Sequence, residues 1–182
     1  MSKMLHSIGI YSMSYKLKNL RVLVVDDNKP IRALLRALLL DLGFGTIDAA
    51  ETLEEGWGFY CEHKPDLILV DWRMDRQDAI EFTKRVREDQ RSPAPYLPVI
   101  VMTGFTSKER VFHARDAGAT EFLIKPFTIQ TLVDHLTHII ERPRDFVIAP
   151  EFVGPDRRRR SEDVPHKKRR ADKIKNADMV TD

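Results

Sequence analysis

The chain has 182 residues, of which 42% are hydrophobic and 32% are charged. This is enough for one ordinary globular core and too little for two, so we expect a single domain with extensions. No segment approaches the roughly 18 to 20 consecutive apolar residues that a membrane-spanning helix needs. The single cysteine, Cys61, excludes an intramolecular disulfide and a cysteine-based metal cluster. The first residues make a poor secretory signal, and we expect a cytoplasmic protein.

Charge divides the chain into unlike parts. Residues 20–140 hold 15 basic and 19 acidic residues, a net charge of −4, whereas residues 141–182 hold 12 and 9, a net charge of +3. From about residue 155 the sequence has two basic clusters and few large apolar residues, so burial cannot offset the entropy lost on ordering and we expect disorder there. We therefore predict an N-terminal extension at 1–19, a folded domain at 20–141 and a basic C-terminal extension at 142–182.

Strand and helix patterns alternate along the predicted domain. RVLVV at 21–25 is an apolar run typical of a strand covered on both faces. Residues 30–43 have apolar residues at helical spacing, with Asn28 as the expected N-cap and Gly43 at the end. The pattern predicts an α/β fold, a doubly wound parallel sheet with helices on both faces. The remaining strands are predicted near 46–49, 66–70, 97–103 and 121–125, and the remaining helices near 51–63, 78–88, 107–117 and 128–141.

Polar residues stand where four of these strands end. Asp26 and Asp27 follow the first strand, Asp71 follows the third, Thr103 ends the fourth, and Lys125 ends the fifth. Right-handed crossovers place the carboxyl ends of parallel strands at one edge, where ligands of such sheets bind. Three carboxylates at close range repel one another unless a cation compensates them, and Mg²⁺ suits carboxylate and phosphate oxygens. This set predicts a site that transfers a phosphoryl group onto an aspartate.

Four short motifs close these strands in chain order: VVDDN at 24–28, ILVDWRM at 68–74, VMTG at 101–104 and FLIKPF at 122–127. Together they resemble the receiver domain of bacterial two-component response regulators over about residues 20–141. The resemblance implies the flavodoxin-like receiver fold, with five parallel strands in the order 2-1-3-4-5.

The resemblance also implies a role for each residue of the site. Asp71 is the expected phosphoacceptor, and Asp26, Asp27, Asp71 and the main-chain carbonyl of Arg73 are the expected Mg²⁺ ligands. The remaining implied roles are phosphoryl contacts for Thr103 and Lys125, an open approach to Asp71 beside Gly104, a cis bond before Pro126, and a switch formed by Thr103 and Phe122.

Two positions depart from the family pattern. Asp75 stands where a proline is usual, and Ala79 stands where a glycine is usual. The aspartate adds negative charge near the expected metal site, and the loss of glycine changes the turn into the third helix. Both leave the rate and the lifetime of phosphorylation undetermined.

We expect a stand-alone response regulator that a histidine kinase or a histidine phosphotransfer protein phosphorylates on Asp71. By the resemblance it is a phosphoacceptor and not an enzyme, with slow autodephosphorylation, and it signals through protein contacts. The sequence does not indicate the output partner, and a homodimer through the fourth and fifth helices stays open.

Two alternatives compete with this interpretation. The segment GPDRRRR at 154–160 resembles a C-terminal element of some stand-alone receivers, and its arginines could bind a nucleotide or a nucleic acid while the domain serves as a scaffold. Haloacid-dehalogenase-like phosphatases also use an aspartate, Mg²⁺, a threonine and a lysine. They need a second acid two residues after the first, where this chain has Asn28 following Asp26.

Overall fold

The structure is a computed structural model that describes residues 17–74, 77–104, 108–149, 152–156 and 173–174. Five long strands form one parallel sheet, and a helix follows each of them. The α/β prediction is confirmed. The strands are β1 (Arg21–Val25), β2 (Thr46–Ala50), β3 (Leu67–Asp71), β4 (Val99–Thr103) and β5 (Glu121–Ile124), and the helices are α1 (Lys29–Asp41), α2 (Leu53–His63), α3 (Ala79–Glu88), α4 (Lys108–Asp116) and α5 (Ile129–Glu141).

A short antiparallel pair between β3 and α3 was not predicted. It joins Arg73–Met74 to Gln77–Asp78, and the N–H of Ala79 donates to the carbonyl of Trp72 at 3.2 Å. The long strands lie in the order β2-β1-β3-β4-β5. The predicted order 2-1-3-4-5 is therefore correct when the five long strands are numbered by themselves. When the two short strands between β3 and α3 are numbered as well, the same arrangement reads 2-1-3-6-7.

The sheet has a buried core on each face because side chains alternate along its strands. In β1, Leu23 and Val25 point into a core that also includes Trp57 of α2 and Phe82 of α3, whereas Val22 and Val24 point into the opposite core. Helices α1 and α5 cover that opposite core through their buried leucines. The doubly wound arrangement follows from this division.

Side-chain caps hold four helices at the carboxyl edge of the sheet. Each capping side chain accepts a hydrogen bond from a main-chain N–H in the first helical turn, which satisfies a donor that the helix leaves unpaired. The Asn28 cap of α1 was predicted and is confirmed. The capping residues are Asn28 for α1, Thr52 for α2, Asp78 for α3 and Thr128 for α5.

The chain after α5 forms a β-hairpin of β6 (Phe146–Ala149) and β7 (Phe152–Pro155), and the two-residue strand Lys173–Ile174 pairs with β6. Phe146 is buried, and its ring lies 5.5 Å from the ring of Tyr96 and 5.1 Å from the guanidinium carbon of Arg87. The hairpin therefore packs at the amino edge of the sheet, where α3 ends.

Much of the basic extension lies outside the described residues. The N–H of Asp156, which follows β7, donates to the carbonyl of Asp145 at 2.7 Å. The arginine run at 157–160 is not among the described residues. Disorder was expected from about residue 155, but Pro155 and Asp156 are ordered at the end of β7, and Lys173–Ile174 form a strand. For the arginine run, the expected disorder, the resemblance to known receiver extensions and the anion binding all stay predictions, as do the predicted domain boundaries. Among the helices that the structure describes, none has the length and apolar character needed to cross a membrane.

Replacing Gly118 with alanine is expected to lower the free energy of unfolding by about 2 to 4 kcal/mol. Gly118 has φ at +91°, and an added Cβ would lie 2.7 Å from the carbonyl oxygen of Val153 in β7. Urea denaturation followed by circular dichroism measures the loss. Gly58→Ala is the control, because its Cβ would meet nothing within 4 Å on an exposed face of α2, and it should gain about 0.5 to 1 kcal/mol. Equal stability of Gly118→Ala and wild type would show that the hairpin does not pack here.

Candidate functional site

Three carboxylates meet at the carboxyl edge of the sheet, where β1 and β3 lie side by side. Asp26 and Asp27 follow β1, and Asp71 is the last residue of β3. One oxygen from each of the three carboxylates lies within 4.8 Å of the other two. Asp26 is fully buried, Asp71 is half-buried and Asp27 is exposed. The donor set consists of hard oxygen ligands that reach the surface on one side, which suits Mg²⁺.

Hydrogen bonds satisfy every polar group of Asp26, as its burial requires. Its N–H donates to the carbonyl of Ala50 at 3.2 Å, and its Oδ1 accepts from the N–H of Asn28 at 2.8 Å. Its Oδ2 accepts from Nζ of Lys125 at 2.6 Å, and its carbonyl oxygen accepts from Nη1 of Arg32 at 2.6 Å. Asp26 is therefore the most tightly held of the three acids.

Lys125 compensates two of the acids at once. Its Nζ lies 2.6 Å from Oδ2 of Asp26 and 2.8 Å from Oδ1 of Asp71. Its N–H donates to the carbonyl of Thr103 at 2.7 Å, which fixes the lysine just beyond β5. The bond between Lys125 and Pro126 is cis, as the resemblance implied. A charge-assisted pair of this kind is stronger than a neutral hydrogen bond.

The protonation of Asp71 depends on this lysine. Burial raises the pKa of Asp71 above the ordinary aspartate value, and the nearby charge of Asp26 raises it further. The hydrogen bond and the charge of Lys125 lower the pKa, as does the main-chain N–H of Trp72. Lys125 therefore favours the ionised carboxylate, which is the nucleophilic form.

The sequence profile of the response regulator receiver domain matches residues 22–137. The chain belongs to this family. Receiver domains are signalling phosphoacceptors of two-component systems and hold Mg²⁺ at an acidic pocket, which in this chain is the cluster of Asp26, Asp27 and Asp71.

Individual relatives agree with this membership. Chemotaxis protein CheY-3 of Vibrio cholerae is 32% identical over 125 residues, which cover 69% of this chain and 95% of that protein. Transcriptional regulatory protein PdtaR of Mycobacterium tuberculosis is 32% identical over 125 residues, which cover 69% of this chain and 58% of that protein. The structure of CheY4 of Vibrio cholerae superimposes with a TM-score of 0.61 at 30% identity, covering 66% of this chain and 98% of CheY4.

The receiver residues beyond the acids lie around the same edge. Thr103 ends β4 and is buried, one residue beyond Met102, which pairs with Asp71. Gly104 is exposed, and a Cβ there would extend into open space. Phe122 is half-buried against the core that α2 and α3 cover. These positions agree with the implied roles of the three residues, which stay predictions.

The segment after Asp71 holds the departures from the receiver pattern. Arg73 is exposed in the short antiparallel pair, and the part of its carbonyl as a metal ligand stays a prediction. Ala79 is fully buried as the first residue of α3. Asp75 lies outside the described residues, so its expected effect on the site is not tested. The main chain therefore forms the short antiparallel pair directly before α3 begins, and Asp78 caps the helix.

Two residues of the receiver site were not predicted from the sequence. Arg32 donates to the carbonyl of Asp26, and its Nη2 lies 2.9 Å from Oε2 of Glu51. Arg32 lies in the first turns of α1, six residues after Asp26, and Glu51 directly follows β2. An arginine so close behind the acid pair was the available signal, but its partner Glu51, just after β2, could not be identified from spacing.

Proposed function

We propose that this protein is a cytoplasmic response regulator that accepts a phosphoryl group on Asp71 from a histidine kinase or a histidine phosphotransfer protein. The ammonium of Lys125 placed between the carboxylates of Asp26 and Asp71 carries the proposal. A half-buried acid, Asp71, beside a lysine and two further acids has the parts that phosphoryl transfer needs, namely a nucleophile, oxygen ligands for a metal and a cation for the incoming group.

In the proposed reaction a carboxylate oxygen of Asp71 attacks the phosphorus of a phosphohistidine. The P–N bond breaks, its electron pair leaves with the imidazole of the donor, and an acyl phosphate forms on Asp71. Asp26, Asp27, Asp71 and the carbonyl of Arg73 would hold Mg²⁺, which neutralises charge on the transferring group. The side chain of Lys125 is 18% exposed, so its ammonium can turn from the carboxylates to a phosphoryl oxygen. Slow hydrolysis of the acyl phosphate then resets the protein.

Phosphorylation adds about two negative charges beside Thr103. The Thr103 hydroxyl moves to donate to a phosphoryl oxygen, and Phe122 turns into the space that this movement opens. Signalling then occurs through the face of α4, β5 and α5. That face exposes Phe112, Ile124 and Ile129, each at about half of its surface or more, so it offers apolar contacts to an output protein or to a second copy of the chain.

Incubation with acetyl phosphate and Mg²⁺, followed by intact-mass spectrometry, tests this function. Wild type should gain one phosphoryl group that hydroxylamine removes, because hydroxylamine cleaves acyl phosphates. Asp71→Asn should gain none, and chelation of Mg²⁺ with EDTA should prevent the modification of wild type. Asp134→Asn is the control, since Asp134 is exposed on α5, where its Oδ1 accepts from Nε2 of Gln130 at 2.8 Å. Equal labelling of Asp71→Asn and wild type would refute Asp71 as the acceptor.

A further inference from the structure

We propose that Arg32 is a positioning residue for the Mg²⁺ site: it fixes the main chain at Asp26 so that the three acids keep their spacing when a cation binds. This inference rests on the proposed function, because it assumes that the acid cluster holds Mg²⁺. It assigns a task to a residue that contacts the main-chain carbonyl of Asp26 and supplies no carboxylate to the cluster.

The guanidinium of Arg32 joins two loops at the carboxyl edge. Nη1 donates to the carbonyl oxygen of Asp26 at 2.6 Å, and Nη2 lies 2.9 Å from Oε2 of Glu51. The side chain of Arg32 is only 12% exposed, although Glu51 is 66% exposed. The planar fork of an arginine can meet two acceptors in fixed directions, whereas a lysine ammonium is a single point charge.

Glu51 is itself held in place. Its N–H donates to Oε2 of Glu55 at 2.7 Å, and the N–H of Glu55 donates to Oγ1 of Thr52 at 3.1 Å. This reciprocal arrangement resembles a capping box at the start of α2. The partner of Arg32 is therefore anchored on a capped helix, so the Arg32 contact connects Asp26 to a rigid element.

The hydrogen bond from Arg32 to the carbonyl of Asp26 matters most when a cation binds. In the present structure Lys125 holds Oδ2 of Asp26 at 2.6 Å. A divalent ion held by Asp26, Asp27 and Asp71 would supply charge compensation that Lys125 now provides. The main-chain bonds of Asp26, to Ala50 and to Arg32, are independent of that exchange. They are suited to keep the ligand in place, as outer groups do in other metal sites.

Positioning and simple electrostatics predict opposite results for Arg32→Gln. Removing a positive charge near an acid cluster should strengthen Mg²⁺ binding if charge alone matters. Loss of a positioning contact should weaken it, by about tenfold, as is typical for groups behind a metal ligand. Arg32→Lys separates the two explanations further, because it keeps the positive charge and removes the planar guanidinium.

The experiment is an NMR titration of metal-free, ¹⁵N-labelled full chain with MgCl₂, followed through the amides of Asp27 and Trp72. Amide hydrogen exchange at Asp26 in the metal-free protein gives a second readout that requires no metal. The control is Arg85→Gln, which removes a comparable ion pair: Nη1 of Arg85 lies 2.7 Å from Oε1 of Glu54, which is also 66% exposed. That pair joins α3 to α2 and includes none of the three acids of the cluster.

We expect both Arg32→Gln and Arg32→Lys to bind Mg²⁺ about tenfold more weakly than wild type and to exchange the Asp26 amide faster, with Arg85→Gln unchanged in both measurements. Unchanged or tighter binding by Arg32→Gln, with normal binding by wild type, would overturn the positioning role and leave the proposed function standing. Absence of any response of wild type to MgCl₂ would overturn the proposed function and this inference together.

Discussion

Replacing Lys125 with methionine is expected to lower the free energy of unfolding of the metal-free protein by about 3 kcal/mol. Methionine keeps most of the side-chain volume, so the loss reflects the ammonium. Asp26 and Asp71 would then face each other without the cation that now lies 2.6 and 2.8 Å from their oxygens. A buried charge that loses its partner costs much more than a surface ion pair contributes.

The pH dependence of this loss has a definite sign. Burial already holds the pKa of Asp71 above the ordinary aspartate value in wild type, and Lys125 opposes this shift, so removal of the lysine raises the pKa of Asp71 in the folded variant further. The repulsion acts only while the carboxylates are ionised. The difference between variant and wild type should therefore be largest at neutral pH and should shrink as the pH falls to about 4 and below, where aspartates become protonated.

Urea denaturation in EDTA, at neutral and acidic pH, measures this effect, and a parallel series with Mg²⁺ should recover much of the lost stability. Lys84→Met is the control, because Lys84 is exposed on α3. Equal stability of Lys125→Met and wild type in EDTA at neutral pH would mean that the lysine does not compensate the acids.

Arg87→Met is expected to destabilise the protein by about 3 kcal/mol or more, since it removes several buried hydrogen bonds at once. Arg87 is 4% exposed at the end of α3 and donates four hydrogen bonds to main-chain carbonyls. Burial lowers its pKa to about 9, which leaves the guanidinium protonated at neutral pH. The acceptors are Pro95, Leu97 and, through two nitrogens, Gly118.

The variant should also loosen the C-terminal hairpin, because the ring of Phe146 packs over Arg87. Arg87→Lys should recover only part of the stability, since one ammonium cannot reach both loops. Chemical denaturation gives the stability, and proteolysis of the folded protein followed by mass spectrometry reports release of the hairpin. Arg91→Met, at an exposed arginine of the same region, should leave the midpoint unchanged. A midpoint of Arg87→Met within error of wild type would contradict the structural role of the buried guanidinium.

The sheet and the acid cluster could be predicted because local patterns determine them. Apolar runs separated by amphipathic helices specify a parallel sheet, and right-handed crossovers bring the residues after β1 and β3 to one edge. Asp26, Asp27 and Asp71 therefore meet without any knowledge of side-chain conformations. The cap at Asn28 was predictable for a similar reason, since a polar residue before an apolar-periodic segment is typical of helix starts.

The remaining features depend on contacts between distant parts of the chain. Arg87 has the sequence context of a solvated residue on an amphipathic helix, and its burial results from loops at 95–97 and 118 and from Phe146. Arg32 contacts Glu51, just after β2 and 19 residues along the chain, which no local spacing indicates. The short pair between Arg73 and Asp78 likewise forms where the family pattern has different residues, so resemblance could not specify it.

The β6–β7 hairpin and the acid cluster lie at opposite ends of the sheet. The acids lie where the strands end, whereas Phe146 and Gly118 lie where strands begin, at the opposite end of the sheet. The chain continues into its arginine run from Asp156, which bonds to Asp145 beside this hairpin. Partners bound at Asp71 and at the described residues of the hairpin would therefore approach from opposite ends of the sheet, so both could occupy one molecule at the same time.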